Sequence, residues 1–446
     1  MATQLWAKNV KVNEAIEQFT TGKDRELDLL LAQYDVLGSL AHITMLETIG
    51  LLTKQELNVL KEELKNIFNG AKQGDFAIEH GVEDVHSQVE FILTKKLGDA
   101  GKKIHSGRSR NDQVLVDLKL FMRDEIESLV DEISRLFTLL QSLSEKHKNI
   151  LLPGYTHFQV AMPSSFGLWF GAYAEALVDD LELLLAAYKV VNKNPLGSAA
   201  GYGASFPLNR TLTTKLLGFE TLNYNVVYAQ MTRGKADQIV ASALASVAYT
   251  LNKLATDVVL YVCQNFDFIG FPEELMEGSS IMPHKKNPDV FELIRAKTNK
   301  IKALPNDINL LTTNMPSGYH RDWQILKEYT LPSFAELKDC LQMTGLMLSS
   351  IQIKENIVKD EKYKYMFSVE RVNELAQSGL PFRDAYKRVG AEINEGSFIP
   401  QYNINHSHEG SIGNLCNKEV MELFQSILPQ FRFNEKNAAI EQLLAS

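Results

Sequence analysis

Apolar residues recur along this chain in steps of three and four. From Val114 they fall at Leu118, Phe121, Met122, Leu129, Ile133, Leu136, Phe137, Leu140 and Leu143. That spacing keeps one face of a helix apolar for about eight turns. Phe166 to Val191 repeats the pattern. Ile239, Ala243, Leu244, Val247, Leu251, Leu254, Val258 and Val262 repeat it again, and two more stretches run from Phe291 to Leu311 and from Phe334 to Ile353. Helices in globular domains average about 11–12 residues, so these five are unusually long. Strand-like alternation is scarce, and no βαβ unit is visible. The pattern predicts an all-α chain built on a central long-helix bundle. Such helices are too long for one compact monomer and suit packing against further copies of the chain.

Polar, Gly- and Pro-bearing breaks interrupt the helices at Gly101 to Gln113, Pro153 to Pro163, Pro195 to Pro207, Gly270 to Pro288 and Asn314 to Trp323. Before residue 105 the helices are shorter, Tyr34 to Leu46 among them, and after about residue 355 they shorten again. This organisation predicts three domains: 1–105 N-terminal and helical, 106–355 the central bundle, and 356–446 C-terminal, small and helical.

Composition narrows the class. With 446 residues, 45% of them hydrophobic and 23% charged, the chain can bury a full core as a soluble globular protein. A net charge of −9 weighs against a nucleic-acid surface. Cys263, Cys340 and Cys416 lie far apart, which argues against a disulfide framework or zinc cluster and suits a reducing cytoplasm. Met1 to Lys8 lacks the apolar core of a signal peptide. The most apolar stretch, Ile239 to Val262, is broken by Ser242, Ser246, Asn252, Lys253 and Asp257, so no membrane span is expected. His406-x-His408 has no third ligand at suitable spacing, and no metal is expected.

Chemistry should sit in the breaks, where loops are held by rigid helices. His105 to Gln113 carries Ser109, Asn111 and Asp112 at a helix start. These can be an ordinary N-cap. With Arg108 and Arg110 beside them, they can also form a site for carboxylates. His157, in Gly154 to Gln159, reads as structural or catalytic on its own. Glu277 to Asp289 resembles a mobile flap joined to a helix that Asn287 caps, with Pro288 as its first residue. Asn194 to Gly203 lacks a dinucleotide fingerprint, and its glycines suit close helix packing. Tyr319 to Lys327 says little alone.

The segment from Gly278 to Pro288, Gly-Ser-Ser-Ile-Met-Pro-His-Lys-Lys-Asn-Pro, resembles the signature loop of the fumarase/aspartase superfamily at every fixed position. Gly107-Arg108-Ser109-Arg110-Asn111-Asp112-Gln113 looks like the version of the first motif found in argininosuccinate lyases. Pro153 to His157, Pro195 to Ser198 and Gln264 to Phe266 resemble that family too. The resemblance implies an all-helical, three-domain fumarase/aspartase-like fold and a homotetramer whose active sites are shared between subunits. It also implies cofactor-free β-elimination of argininosuccinate to arginine and fumarate. By matching position, Ser279 would be the base, and His157 the acid or its orienting partner, held by Glu292. Lys285 and Asn287 would bind the succinyl carboxylates. Arg108, Ser109, Asn111 and Thr156 would contact substrate, and Tyr319, Gln324 and Lys327 would hold the arginine end. Phe19 to Arg25 does not align with the family's early loop, and no residue is carried over from it. His320 and Arg321 stand where Asn-Lys is usual, and His406 to Gly413 is atypical. Adenylosuccinate lyase and a non-catalytic, crystallin-like relative remain as alternatives.

Overall fold

The computed structural model describes residues 13–446; Met1 to Lys8, read above for a leader, lies outside them. Among the described residues five helices exceed 20 residues: Arg110–Lys146, Phe166–Val191, Val226–Val262, Asp289–Leu311 and Leu326–Ser349. They pack side by side, the first on the second and fifth, and the third on the second, fourth and fifth. The periodic positions make the seams: Leu129, Ile133, Leu140, Leu177, Leu181, Val240, Leu244, Val247 and Val258 are wholly buried. Each buried aliphatic side chain contributes roughly 1.5–3 kcal/mol. Two stretches, Asp24–Thr48 and Val226–Val262, are long and apolar enough to cross a bilayer, but 78% and 56% of their most apolar windows are buried inside this fold.

Shorter helices flank the bundle. Ala32–Thr48 is buried on nearly every side and lies against Arg110–Lys146 and Lys54–Gln73. At the other end Asn417–Ile427 packs on Phe166–Val191, and Phe433–Ala445 returns to Ala32–Thr48. Lys436 there ion-pairs with Asp124, at 2.5 Å, and with Glu127 on the first long helix.

Three local features depart from the expected pattern. Pro153 to Pro163 is not a plain break but part of an antiparallel hairpin, Leu151–Thr156 with Gln159–Ser165. Its pairing is irregular between Pro153 and Tyr155, where proline removes a donor. Gly154 sits so close to the partner strand that a Cβ would meet Met162 O at 2.7 Å. The third long helix starts at Val226, capped by Asn225, well before Ile239. Asn287 does not cap the fourth: Pro288 holds the cap position and Asn287 lies in a two-residue ladder. Backbone pairing with Glu277 has claimed it.

Candidate active site

A cleft opens where the N-terminal helices meet the first, third and fifth long helices. Its lining includes four of the residues named from sequence: Asn111, Tyr319, Gln324 and Lys327. Ser109 caps the first long helix beside it. The Ser109 N–H donates to Asp112 Oδ1 at 2.8 Å, and Asn111 N–H to Ser109 Oγ at 3.3 Å, a reciprocal capping box. The buried Asp112 also accepts from Gly197 N and Ala199 N, both at 2.9 Å, which fastens the Asn194–Gly203 loop to this helix start. Burial lifts its carboxyl to about 6 against the pull of those N–H groups. Asn111 is thereby aimed from a rigid corner.

Arg108 is not in the cleft. It is buried, and its Nη1 donates to Ser39 Oγ at 3.0 Å. Arg110, one residue into the helix, lines the cleft instead. Arg110 Nη1 reaches Glu83 Oε2 at 2.7 Å and its Nη2 reaches Ser87 Oγ at 2.7 Å. Lys327 is buried between Asp24 and Asp28, at 2.6 and 2.7 Å. Burial would lower its pKa, but Asp28 and Asp24 raise it. Burial also pushes Asp24 up to about 6, with Lys327 opposing.

Sequence reading missed part of this cleft: Asp24, Asp28, Glu83, Asp84, His86, Arg233 and Arg321. The early loop that did not align lies against this cleft. Gln324 Nε2 donates to Thr20 O at 2.9 Å, and Arg321 Nη2 donates to the same oxygen at 2.8 Å. A sequence signal for Asp24 and Asp28 existed in their four-residue spacing, which puts both on one helix face. In the cleft wall His86 Nδ1 lies 2.8 Å from Asp35 Oδ1 and 3.5 Å from Asp117 Oδ2. These ligand atoms fall within 4.8 Å of one another, as a cation site would require. Burial works against charging His86, yet the two aspartates raise its pKa to about 9. The acids thus favour the charged ring over the neutral one.

The remaining named residues lie on two projections and, for Glu292, in the first turn of the fourth long helix, and none of them lines this cleft. One is the hairpin tip. Thr156 pairs with Gln159, leaving His157 and Phe158 as a two-residue turn at φ 54° and 57°. Tight hairpin turns demand positive φ, normally met by Asn or Gly. Here a histidine and an 80%-exposed phenylalanine adopt it, at a cost of order 1–3 kcal/mol each. The other is the flap, whose base is a ladder of Glu277 with Asn287 and Gly278 with Lys286. At its tip Ser279 Oγ accepts from Met282 N at 3.1 Å and Ile281 N at 3.4 Å. Lys286 pairs with Glu273 at 2.5 Å, while Lys285 is exposed and makes no ion pair among the described residues. Glu292 is also exposed; its nearest cation is Arg295, at 4.0 Å, and no bond joins it to His157 within the chain.

Residues 7–302 match a family model described as lyase. An argininosuccinate lyase from Parabacteroides distasonis is 62% identical over 444 residues, covering 100% of both chains. One from Thermotoga neapolitana is 38% identical over 389 residues, covering 87% of this chain and 98% of its own. The chain belongs to the argininosuccinate lyase family. That membership decides between the branches left open by sequence, against adenylosuccinate lyase and a purely structural relative. The argininosuccinate lyase fold recurs in solved structures. An EDDS lyase variant with bound fumarate superposes with TM-score 0.76 at 19% identity, covering 98% of this chain and 95% of that one. A class II fumarase from Schistosoma mansoni gives 0.68 at 14%, covering 93% and 95%.

Proposed function

We propose that this chain cleaves argininosuccinate reversibly to L-arginine and fumarate, the last step of arginine biosynthesis, as a cytoplasmic homotetramer without a cofactor. The observation that carries the base assignment is the environment of Ser279. A serine hydroxyl is a weak base at neutral pH and acts only if its alkoxide is stabilised. Ser279 Oγ already accepts two backbone N–H groups from its own loop, and Lys285 stands free on the same flap. Both favour the anion. Ser279 takes the proton from the carbon next to a succinyl carboxylate, and negative charge spreads onto that carboxylate. Lys285 and Asn287 hold those oxygens. The C–N bond breaks, its electron pair stays on the guanidino nitrogen, and the C=C bond of fumarate forms. His157 supplies or orients the proton the nitrogen needs, with Glu292 holding the ring.

The placement of the residues supports sharing of the site between subunits. The cleft holds Asn111, Tyr319, Gln324 and Lys327 for the arginine end, with Ser109 at its helix start and Arg110 taking the part assigned to Arg108. Thr156 and His157 project on the hairpin and Ser279 on the flap. Exposed Phe158, Ile281, Leu293, Leu310 and Leu346 suit burial against other subunits. The three domains, 1–105, 106–355 and 356–446, belong to the same reading. The test is fumarate release from argininosuccinate, followed by absorbance. Ser279→Ala should lower kcat by on the order of 10²–10⁴-fold, the range for a positioned proton-transfer group, with little change in KM. Wild-type turnover by a folded Ser279→Ala tetramer would remove the base assignment.

A further inference from the structure

Between the second and third long helices the chain makes an excursion, residues 192 to 225, that lines none of the cleft. Buried cations of the first long helix pin it by its backbone. Lys119 donates to Lys193 O at 3.0 Å and to Asn223 Oδ1 at 2.6 Å. Arg123 donates to Leu217 O and Gly218 O, both at 2.9 Å. Within the excursion, the loop from Asn194 to Gly203 is fixed again. Arg210 Nε donates to Leu196 O at 3.0 Å, and Gln230 Nε2 to Ser198 Oγ at 3.1 Å. Ala199 stands there at φ 53°, a left-handed conformation that a residue with a Cβ holds only where its surroundings impose it.

What this rigid loop holds is Asp112. A capping box needs one carboxylate oxygen, and Asp112 Oδ1 supplies it to Ser109 N. The second oxygen is given to the loop: Oδ2 accepts from Gly197 N and Ala199 N across 85 and 87 residues of sequence. Asp112 is wholly buried, so it touches no substrate. Its neighbour Asn111, in the same helical turn, lines the cleft. Resting on the function proposed above, we infer that Asp112 is a positioning residue, through which the excursion braces the first turn of the long helix and fixes the direction in which Asn111 meets the arginine end of the substrate. A contact that is held in place by a second layer of bonds loses its worth when that layer loosens. The excursion thus serves the cleft without contributing a residue to it.

Calorimetry with L-arginine on the purified full-length protein tests this as a double-mutant cycle. Asp112→Asn replaces one carboxylate oxygen by a donor, so either Ser109 N or the two loop N–H groups lose their acceptor. Asn111→Ala and Asp112→Asn should each weaken L-arginine by about tenfold. Asn111→Ala added to Asp112→Asn should cost less than about twofold more, because Asn111 is already misdirected. A melting curve establishes that each variant is folded. Arg210→Met, at a half-buried position, frees the same loop from its other side and covers the case in which Asp112→Asn does not fold. It should weaken L-arginine by about threefold and likewise shrink the effect of Asn111→Ala. An Asn111→Ala cost that is the same in these backgrounds as in the wild type, or L-arginine affinity unchanged by both Asp112→Asn and Arg210→Met, would overturn the assignment. Failure of the underlying function is seen separately, as a wild type that releases no fumarate from argininosuccinate.

Discussion

His86 shows how much a single buried residue can carry. Its Nδ1 lies 2.8 Å from Asp35 Oδ1; burial would lower its pKa, but Asp35, with Asp117 and Asp84 nearby, raises it to about 9. An unfolded histidine titrates near ~6.5. The folded state therefore binds the proton more tightly, and the stability this contributes is fully present below about pH 6.5 and lost as pH rises through about 9. The size is on the order of 3 kcal/mol. The melting midpoint should fall across that window, and His86→Gln should flatten the dependence; identical curves for both proteins would mean that the aspartates do not hold the charge. The cleft's residues also show what the sequence could and could not reveal. Asn111 was legible at a helix start between strong helical patterns, whereas Tyr319, Gln324 and Lys327 came only from the family resemblance. Arg108 was chosen over Arg110 because both flank the same cap. Only the packing of Ser39 against Arg108 decides which guanidinium faces in, and that contact spans 69 residues of sequence.

Among the elements, the long helices were legible because hydrophobic period alone specifies them. The hairpin was not. Leu151–Thr156 contains Pro153 and Gly154 and has no clean alternation, since its irregular pairing suspends the period of two. The flap's ladder is two residues long, too short to leave a pattern. The third long helix is broken at Arg233 and Gly234, the latter at φ 81°, and this break was half visible, because Gly234 stands within an otherwise apolar-periodic stretch. Its consequence is testable. Gly234→Ala imposes a left-handed conformation on a residue with a side chain, costing about 1–2 kcal/mol, and adds the close approach to Thr312. The variant should melt at lower temperature. A melting curve matching the wild type would show that the break is not under that constraint.

For the whole molecule, the residues of the proposed site are divided among a cleft, two projections and the start of the fourth long helix. If sites are shared, a variant damaged in the cleft and a variant damaged on a projection each keep what the other has lost. Gln324→Ala and Ser279→Ala, mixed, unfolded and refolded together, should show activity well above either variant refolded alone. Activity equal to the parents' mean would argue for a site within each chain. The Lys327 clamp has a further consequence during synthesis. Its bond to Asp28 joins residues 299 apart. At about 5–20 residues per second, roughly 15–60 s pass between the emergence of Asp28 from the ribosome and that of its cation. For that interval Asp24 and Asp28 have no charge partner, whereas Lys54–Gln73 and Arg110–Lys146, on which Ala32–Thr48 packs, emerge earlier. The cost of assembling this cleft from distant segments therefore falls on the nascent chain, whose paired aspartates must wait for the latest part of the site.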